Sequence, residues 1–226
     1  TYHTRLEEYA HFLPAFKLVF KNILSHKIIK NFAQKCSGII SPTYSAKEYL
    51  SNIGVSRKKY VIPTGIDFKK YQFSNKEISQ LKEKFVKKNE KLLCTVSRLS
   101  DEKNLFFLLN SIKYIKENTN YEFKHIIIGD GGQKDKIEKY IKENNLESTI
   151  KLLGKISPKD IPKYYLASDI FLFSSLSETQ GMVILEAMAG KTPAVAIRAS
   201  GIDDVIENKY NGFKTKANIE SWSEKV

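Results

Sequence analysis

Cysteine is scarce in this chain. There are two in 226 residues, Cys36 and Cys94, and they stand in different segments. That excludes a disulfide framework and the small secreted scaffolds that depend on one; a reducing compartment is expected. Long apolar runs are also missing, and none approaches the ~20 residues that a membrane span needs. His, Cys and Asp nowhere fall at metal-ligand spacings, so no metal is expected. No signal peptide, internal repeat or low-complexity segment is visible. No methionine opens the chain, and Thr1-Tyr2-His3-Thr4 reads as the interior of a longer protein, a fragment of it. Acidic residues are outnumbered, 25 against 37 Lys and Arg, for a formal net charge of +12. Such an excess calls for anionic partners: phosphorylated small molecules, an anionic membrane surface or nucleic acid. Nucleic acid ranks last, because no recognised motif is present and the basic residues are not gathered with stacking aromatics. Simple disorder is excluded by a hydrophobic content of 42%.

The acid deficit is most complete over residues 13–36, which hold no Asp or Glu. Lys17, Lys21, Lys27, Lys30 and Lys35 all lie there. At helical spacing Phe16, Val19, Phe20, Ile23 and Leu24 share one face, with Lys17 and Lys21 beside it. Ile28, Ile29, Phe32, Ala33 and Cys36 continue the pattern. A basic amphipathic stretch with aromatics suits a membrane interface, with Lys17, Lys21, Lys27 and Lys30 drawn to anionic lipid. The competing reading is an ordinary domain helix with its lysines in water.

From residue 91 onward, strands and helices alternate, as in a parallel sheet with helical crossovers. Short apolar runs at 92–96, 125–128, 150–153, 170–173 and 193–197 read as strands. Residues 104–115, 134–141, 158–166 and 182–189 read as helices between them. The expected fold is α/β, a doubly wound Rossmann-like parallel sheet, whose ligands sit at the carboxyl ends of the strands. Residues 1–62 look like the tail of another α/β domain, 63–90 like a charged connector, and 91–226 like the ligand-binding domain, closing at the start of one more helix.

Several constellations fall at the expected strand ends. Ser97-Arg98-Leu99-Ser100-Asp101-Glu102-Lys103-Asn104 links a strand to a helix, so Arg98 and Lys103 either converge on one anion, a diphosphate clamp, or stand as two solvated surface charges; the strand-end location and the Glu178/Glu186 pair favour the clamp. Glu178 and Glu186, eight positions apart, bracket a helix that opens near Gly181. The backbone amides and dipole at such an opening favour phosphate, and carboxylates accept hydrogen bonds from sugar hydroxyls. Gly129-Asp130-Gly131-Gly132 is neither a dinucleotide fingerprint nor a P-loop. It serves either a tight turn or close approach to a ligand. Gly65 is open to the same two readings, phosphate approach or a turn between domains.

Together these residues resemble the retaining glycosyltransferases of the GT-B fold, the large family four group. The matching pieces are Ser97-Arg98-Leu99, Glu102-Lys103-Asn104, Gly129-Asp130-Gly131, Ala167-Ser168-Asp169, the stretch from Glu178 to Glu186, and Gly201-Ile202-Asp203-Asp204. The resemblance covers about residues 60–215. It implies a nucleotide-sugar donor and no metal or other cofactor. Arg98 and Lys103 would hold the donor diphosphate, Glu178 the sugar hydroxyls and Glu186 the ribose. The backbone of Gln180, Gly181, Met182 and Val183 would add donor contacts, and the base would sit by the loop at Lys155-Ile156. The beginning of the chain is similar to the bacterial diacylglycerol glucosyltransferases of the membrane surface. In that comparison His3 matches the active-site histidine near the transferred sugar. UDP-glucose is the expected donor, with UDP-galactose and GDP-mannose as competitors, and a membrane lipid such as diacylglycerol the expected acceptor. The expected location is cytoplasmic, peripheral on the inner face of the cell membrane. Two alternatives stand beside this: the same chemistry on a soluble or polymeric glycan, or a non-catalytic nucleotide-sugar-binding fragment.

Overall fold

The computed structural model describes residues 1–3 and 24–226. Lys17, Lys21, Phe16, Val19, Phe20 and Ile23 lie outside the described residues. The chain forms two compact units. The first comprises Thr1–Gly65, Ser177–Gly181 and Ala199–Val205; the second comprises Ile66–Leu176, Met182–Arg198 and Ile206–Val226.

In the first unit, α1 (Ser25–Gln34) precedes β1 (Ile39–Ser41), α2 (Tyr44–Asn52) and β2 (Lys59–Val61). The two strands are parallel, with Ile39 opposite Lys59. Thr43 caps α2 by accepting from the Ala46 amide, which satisfies one of the helix's orphan donors. Ala33, Ile39, Leu50 and Val55 form a small core, and Tyr2 and Tyr49 pack against it. The Tyr2 amide donates to the Ile40 carbonyl at 2.8 Å, so the first residues run beside β1.

The second unit opens with a 3₁₀ turn (Phe68–Tyr71) and α3 (Asn75–Glu83). Within the charged connector Ile78, Leu81 and Phe85 fall at helical spacing, and Ile78 and Leu81 lie on α3. The structure divides the connector at Ser74, which forms a reciprocal capping box with Glu77 and so starts a new helix there. There follow β3 (Lys91–Val96), α4 (Leu105–Asn118), β4 (Phe123–Ile128), α5 (Lys134–Glu143), β5 (Ile150–Gly154), α6 (Ile161–Ala167), β6 (Ile170–Phe173), α7 (Met182–Ala189), β7 (Ala194–Ile197), β8 (Gly212–Thr215) and α8 (Ile219–Ser223). The sheet order is β5-β4-β3-β6-β7-β8, and every neighbouring pair is parallel. This is the expected doubly wound fold. Its order reverses between β3 and β6, so their carboxyl ends open the crevice where such sheets bind ligands. No helix among the described residues is long and apolar enough to cross a membrane.

The strands are read from their composition because they are buried on both faces: Leu92 through Val96 and Ile126 through Ile128 are all buried. Leu105, Leu108, Leu109, Ile112 and Ile115 turn one stripe of α4 onto that sheet, and Trp222 of α8 closes over it against Phe107. At the opposite end from the crevice, Asp169 accepts from the Leu92 amide at 2.8 Å and pairs with Lys82 at 2.7 Å, anchoring β6 beside β3.

One polar pair sits within the sheet. The Thr95 hydroxyl donates its single proton to the Leu172 carbonyl at 2.9 Å. It can therefore only accept from His125 Nε2, also at 2.9 Å, and His125 is held as the neutral Nε2–H tautomer. Burial pushes its pKa down from 6.5 to about 3. The unfolded chain thus binds a proton that the native chain refuses. Stability is expected to fall as pH drops below about 6.5, by up to ~1.4 kcal/mol per unit from this residue. Urea unfolding between pH 7 and pH 4 should show a shallower acid slope in His125→Leu; an unchanged slope would remove His125 from the account.

Candidate functional site

The crevice of the second unit is built first from backbone. The loop after β3 lies along the glycine turn after β4: the Leu99 amide donates to Asp130 and the Gln133 amide to Leu99, at 2.9 and 3.0 Å. A β-carbon on Gly129 would stand 1.8 Å from the Ser97 carbonyl oxygen, and one on Gly131 would stand 2.4 Å from that of Leu99. Gly129 has φ +143°, so the tight turn that is one of the two readings of Gly129-Asp130-Gly131-Gly132 is present, and the Arg98 loop packs directly against it. From the other side the loop after β6 reaches across. Ser174 Oγ donates to the Lys103 carbonyl at 2.7 Å, while Ser175 Oγ and the Leu176 amide donate to that of Glu102 at 3.3 and 3.2 Å.

Side chains are set by this frame. Arg98 is exposed, and its guanidinium donates to Glu102 Oε1 at 3.2 Å. That oxygen also accepts from Ser100 Oγ at 2.7 Å. Burial alone would raise the Glu102 carboxyl. The hydrogen bonds from Ser100 and its own backbone, with the charges of Arg98 and Lys103, outweigh it and hold the pKa below the ordinary value. Lys103 is half-buried, with Nζ 5.7 Å from the centre of the Phe173 ring at the end of β6. Ile156 follows the edge strand β5 at the same carboxyl side of the sheet.

Glu186 sits mid-way along α7, whose first turn carries Met182 and Val183. The Tyr165 hydroxyl donates to Glu186 Oε2 at 3.1 Å, and the Tyr71 hydroxyl to the Glu186 main-chain carbonyl at 2.9 Å. Burial raises the Glu186 pKa, against the Tyr165 hydrogen bond and the charge of Lys70. Tyr71 is pushed up to about 12, chiefly by burial and then by the Glu186 charge. Neither tyrosine is signalled by the sequence: Tyr165 lies on a helix and Tyr71 in a 3₁₀ turn, and a lone phenol at either place has no diagnostic spacing.

The first unit holds the remaining candidates. His3 is exposed, and its carbonyl accepts from Thr179 Oγ1 at 2.8 Å; the Thr179 carbonyl in turn accepts from Thr43 Oγ1 at 2.7 Å. His3 is thus brought to the segment that carries Glu178, which is half-buried. The Gln180 side chain exchanges two 3.2 Å hydrogen bonds with the backbone of Thr64. Gly181 has φ +66°, a left-handed turn that leads the chain into α7. Gly201 approaches so closely that a β-carbon would stand 2.7 Å from the Glu178 carbonyl oxygen. Gly65 is different: a β-carbon there would meet nothing within 4 Å, so no protein neighbour requires the glycine. Lys27 and Lys30 are exposed on α1, as are Leu24, Ile28 and Phe32. A cavity of about 330 Å³ lies beside them, lined by His3, Ile28, Ile29, Phe32 and Ile39 among others. Glu178 belongs to the first unit and Glu186 to the second.

Residues 77–226 match the family model described as glycosyl transferases group 1, and residues 1–70 match that of glycosyltransferase family 4. The α-monoglucosyldiacylglycerol synthase of Streptococcus pneumoniae is 29% identical over 216 residues, which cover 94% of this chain and 48% of that protein. The UDP-Gal:α-D-GlcNAc-diphosphoundecaprenol α-1,3-galactosyltransferase of Escherichia coli is 31% identical over 202 residues, 86% of this chain and 51% of that protein. The chain spans about half the length of the curated relatives it matches. Among solved structures, Anabaena HepE in complex with UDP and glucose aligns with a TM-score of 0.77 and 27% identity, over 85% of this chain and 53% of that one. The structural neighbours are glycosyltransferases of the GT-B fold, as the sequence motifs imply.

The glycine frame makes a direct prediction. Gly129→Ala must displace the Ser97 carbonyl, and we expect a loss of roughly 2–4 kcal/mol of stability. Gly132→Ala, whose β-carbon would meet nothing within 4 Å, should change stability by less than about 0.5 kcal/mol. Thermal unfolding of the pair checks this; equal stabilities would contradict it.

Proposed function

The chain belongs to the glycosyl transferases group 1 family and is a glycosyltransferase, and on that premise we propose that the whole protein moves glucose, with retention, from UDP-glucose to a membrane lipid such as diacylglycerol. The observation that carries the donor half is the crevice between β3 and β6, where the sewn loops present Arg98 and Lys103. A planar fork and a point charge on one rigid loop suit the two phosphates of a nucleotide sugar. UDP is favoured because HepE was solved with UDP and glucose. Glucose and a diacylglycerol-type acceptor are favoured by the name of the S. pneumoniae relative.

In this reading the diphosphate departs from the face on which the acceptor attacks, with no covalent intermediate. Arg98, Lys103 and the first amides of α7, beginning at Met182 and Val183, stabilise its charge without reorganising. Preorganised charge of this kind is usually the largest catalytic contribution. The leaving phosphate takes the acceptor proton. Glu178 and His3 bind and position the transferred sugar, and Glu186 holds the ribose. The backbone of Gln180 and Gly181 adds donor contacts, Ile156 lies by the base and Gly65 leaves room for the phosphate. No metal takes part. The lipid reading rests on α1, where Lys27 and Lys30 stand among exposed Leu24, Ile28 and Phe32. The E. coli relative, named for an undecaprenol-linked sugar, favours a second reading in which the acceptor is a lipid-linked sugar.

Three experiments check the proposal. In a thermal-shift panel of nucleotide sugars, UDP-glucose at 100 times its dissociation constant should raise the melting temperature by roughly 5–10 °C. Arg98→Ala or Lys103→Ala should abolish most of that shift, and no shift with any donor would sink the reading. In the full-length protein, Glu178→Ala should cut transfer by roughly 10²- to 10³-fold while leaving the fold intact. Membrane attachment is tested by sedimentation with vesicles: binding to anionic but not neutral lipid, weakened by roughly 1 kcal/mol per lysine on neutralising Lys17, Lys21, Lys27 and Lys30. Equal binding to neutral vesicles would contradict electrostatic docking.

A further inference from the structure

Glu186 is the one candidate ligand-binding carboxylate whose orientation is fixed by another side chain within the second unit. Tyr165 is fully buried, and its hydroxyl meets Glu186 Oε2 at 3.1 Å. The other oxygen of Glu186 has no hydrogen-bond partner among the described residues. The two helices that carry this pair cannot shift freely against each other. A β-carbon at Gly190, just past the end of α7, would stand 2.7 Å from Tyr165 Cβ, so α6 and the end of α7 touch almost backbone to backbone. Thr192 Oγ1 donates to the Tyr165 carbonyl at 2.6 Å, and the Tyr165 ring packs edge-on against Phe171 of β6 with centroids 5.6 Å apart. A second phenol, Tyr71, holds the main chain of Glu186 itself at 2.9 Å.

We propose that Tyr165 is a positioning residue for the donor site: its hydroxyl fixes one oxygen of Glu186, and the other is thereby presented to the ribose hydroxyls of the nucleotide. The inference rests on the reading of Glu186 as the ribose ligand. A buried hydroxyl that only filled a polar gap would act on stability. One that orients a carboxylate acts on nucleotide affinity and on the titration of that carboxylate. The groups that face Glu186 are Tyr165 of α6 and Tyr71 and Lys70 of the 3₁₀ turn. Near Tyr165 stands also Cys94, whose thiol burial pushes up to about 12 and so keeps neutral. The Tyr165 hydrogen bond favours the ionised form of Glu186, so removing it must raise the pH at which the carboxylate is lost.

The test uses the full chain with Tyr165→Phe, which keeps the ring and its contact with Phe171, Glu186→Gln, and the double variant. UDP is the probe, titrated calorimetrically from pH 5 to pH 8, and the Glu186 carboxyl is followed by ¹³C NMR. Tyr165→Phe should weaken UDP about 3- to 10-fold, as expected for one hydrogen bond. It should also move the acid limb of UDP affinity and the Glu186 titration to higher pH. In the Glu186→Gln background it should do nothing further, because the two act as one. An unmoved Glu186 titration, or an equal loss of UDP affinity in both backgrounds, would overturn the inference. If Glu186→Gln alone leaves UDP affinity unchanged, the ribose reading fails; the carboxyl titration then still decides whether Tyr165 orients Glu186.

Discussion

Two main-chain carbonyls, those of Glu102 and Lys103, hold the crevice together. In a doubly wound sheet the chain leaves β3 and β6 towards opposite faces, and the loops that follow diverge. Backbone carbonyls in such a gap must be paired or left in water. Here Ser174, Ser175 and Leu176 supply the donors. On the far side the same loop is pressed against Gly129 and Gly131 so closely that neither could carry a side chain. Arg98 and Lys103 therefore project from a segment held on both flanks. A cationic pair on a mobile loop would have to be ordered by each ligand at entropic cost; one on a fixed loop is already in place.

The charges are arranged with the same economy. Glu102 holds the Arg98 fork from a largely sheltered position, and Ser100 keeps that carboxylate ionised. The Arg98 end of the pair is solvent-exposed, and exposed ion pairs contribute little, about 0–1 kcal/mol. An incoming diphosphate can share the guanidinium without a large penalty. Glu186 has the opposite setting. It is partly buried, its pKa is raised, and phenols stand where cations might. A carboxylate so placed is suited to accepting from neutral hydroxyls rather than to competing with the diphosphate for positive charge.

The sheet was legible in the sequence because parallel strands buried on both faces leave continuous apolar runs, as at Leu92–Val96 and Ile126–Ile128. The edge strand β8 was not legible. Its sequence, Gly212-Phe213-Lys214-Thr215, has no such run, and it forms because Gly212 lets its backbone lie against Ala194, where a β-carbon would come within 2.1 Å of a carbonyl oxygen. Arg98, Lys103, Glu178 and Glu186 were legible as chemistry at strand ends. The frame around them was not, since Ser174, Thr179 and Tyr165 act through single hydrogen bonds to groups that are distant in sequence. Charge and composition single out candidate residues; the hydrogen-bonding partners that surround them carry no such mark.

The central claim is that the β3–β6 crevice receives the diphosphate of a nucleotide sugar. A crystal structure of the chain grown with UDP tests it most directly. Phosphate oxygens are expected within hydrogen-bond distance of both Arg98 and Lys103, and a ribose hydroxyl on the oxygen of Glu186 that Tyr165 leaves open. UDP bound elsewhere, with Arg98 still paired to Glu102, would contradict it.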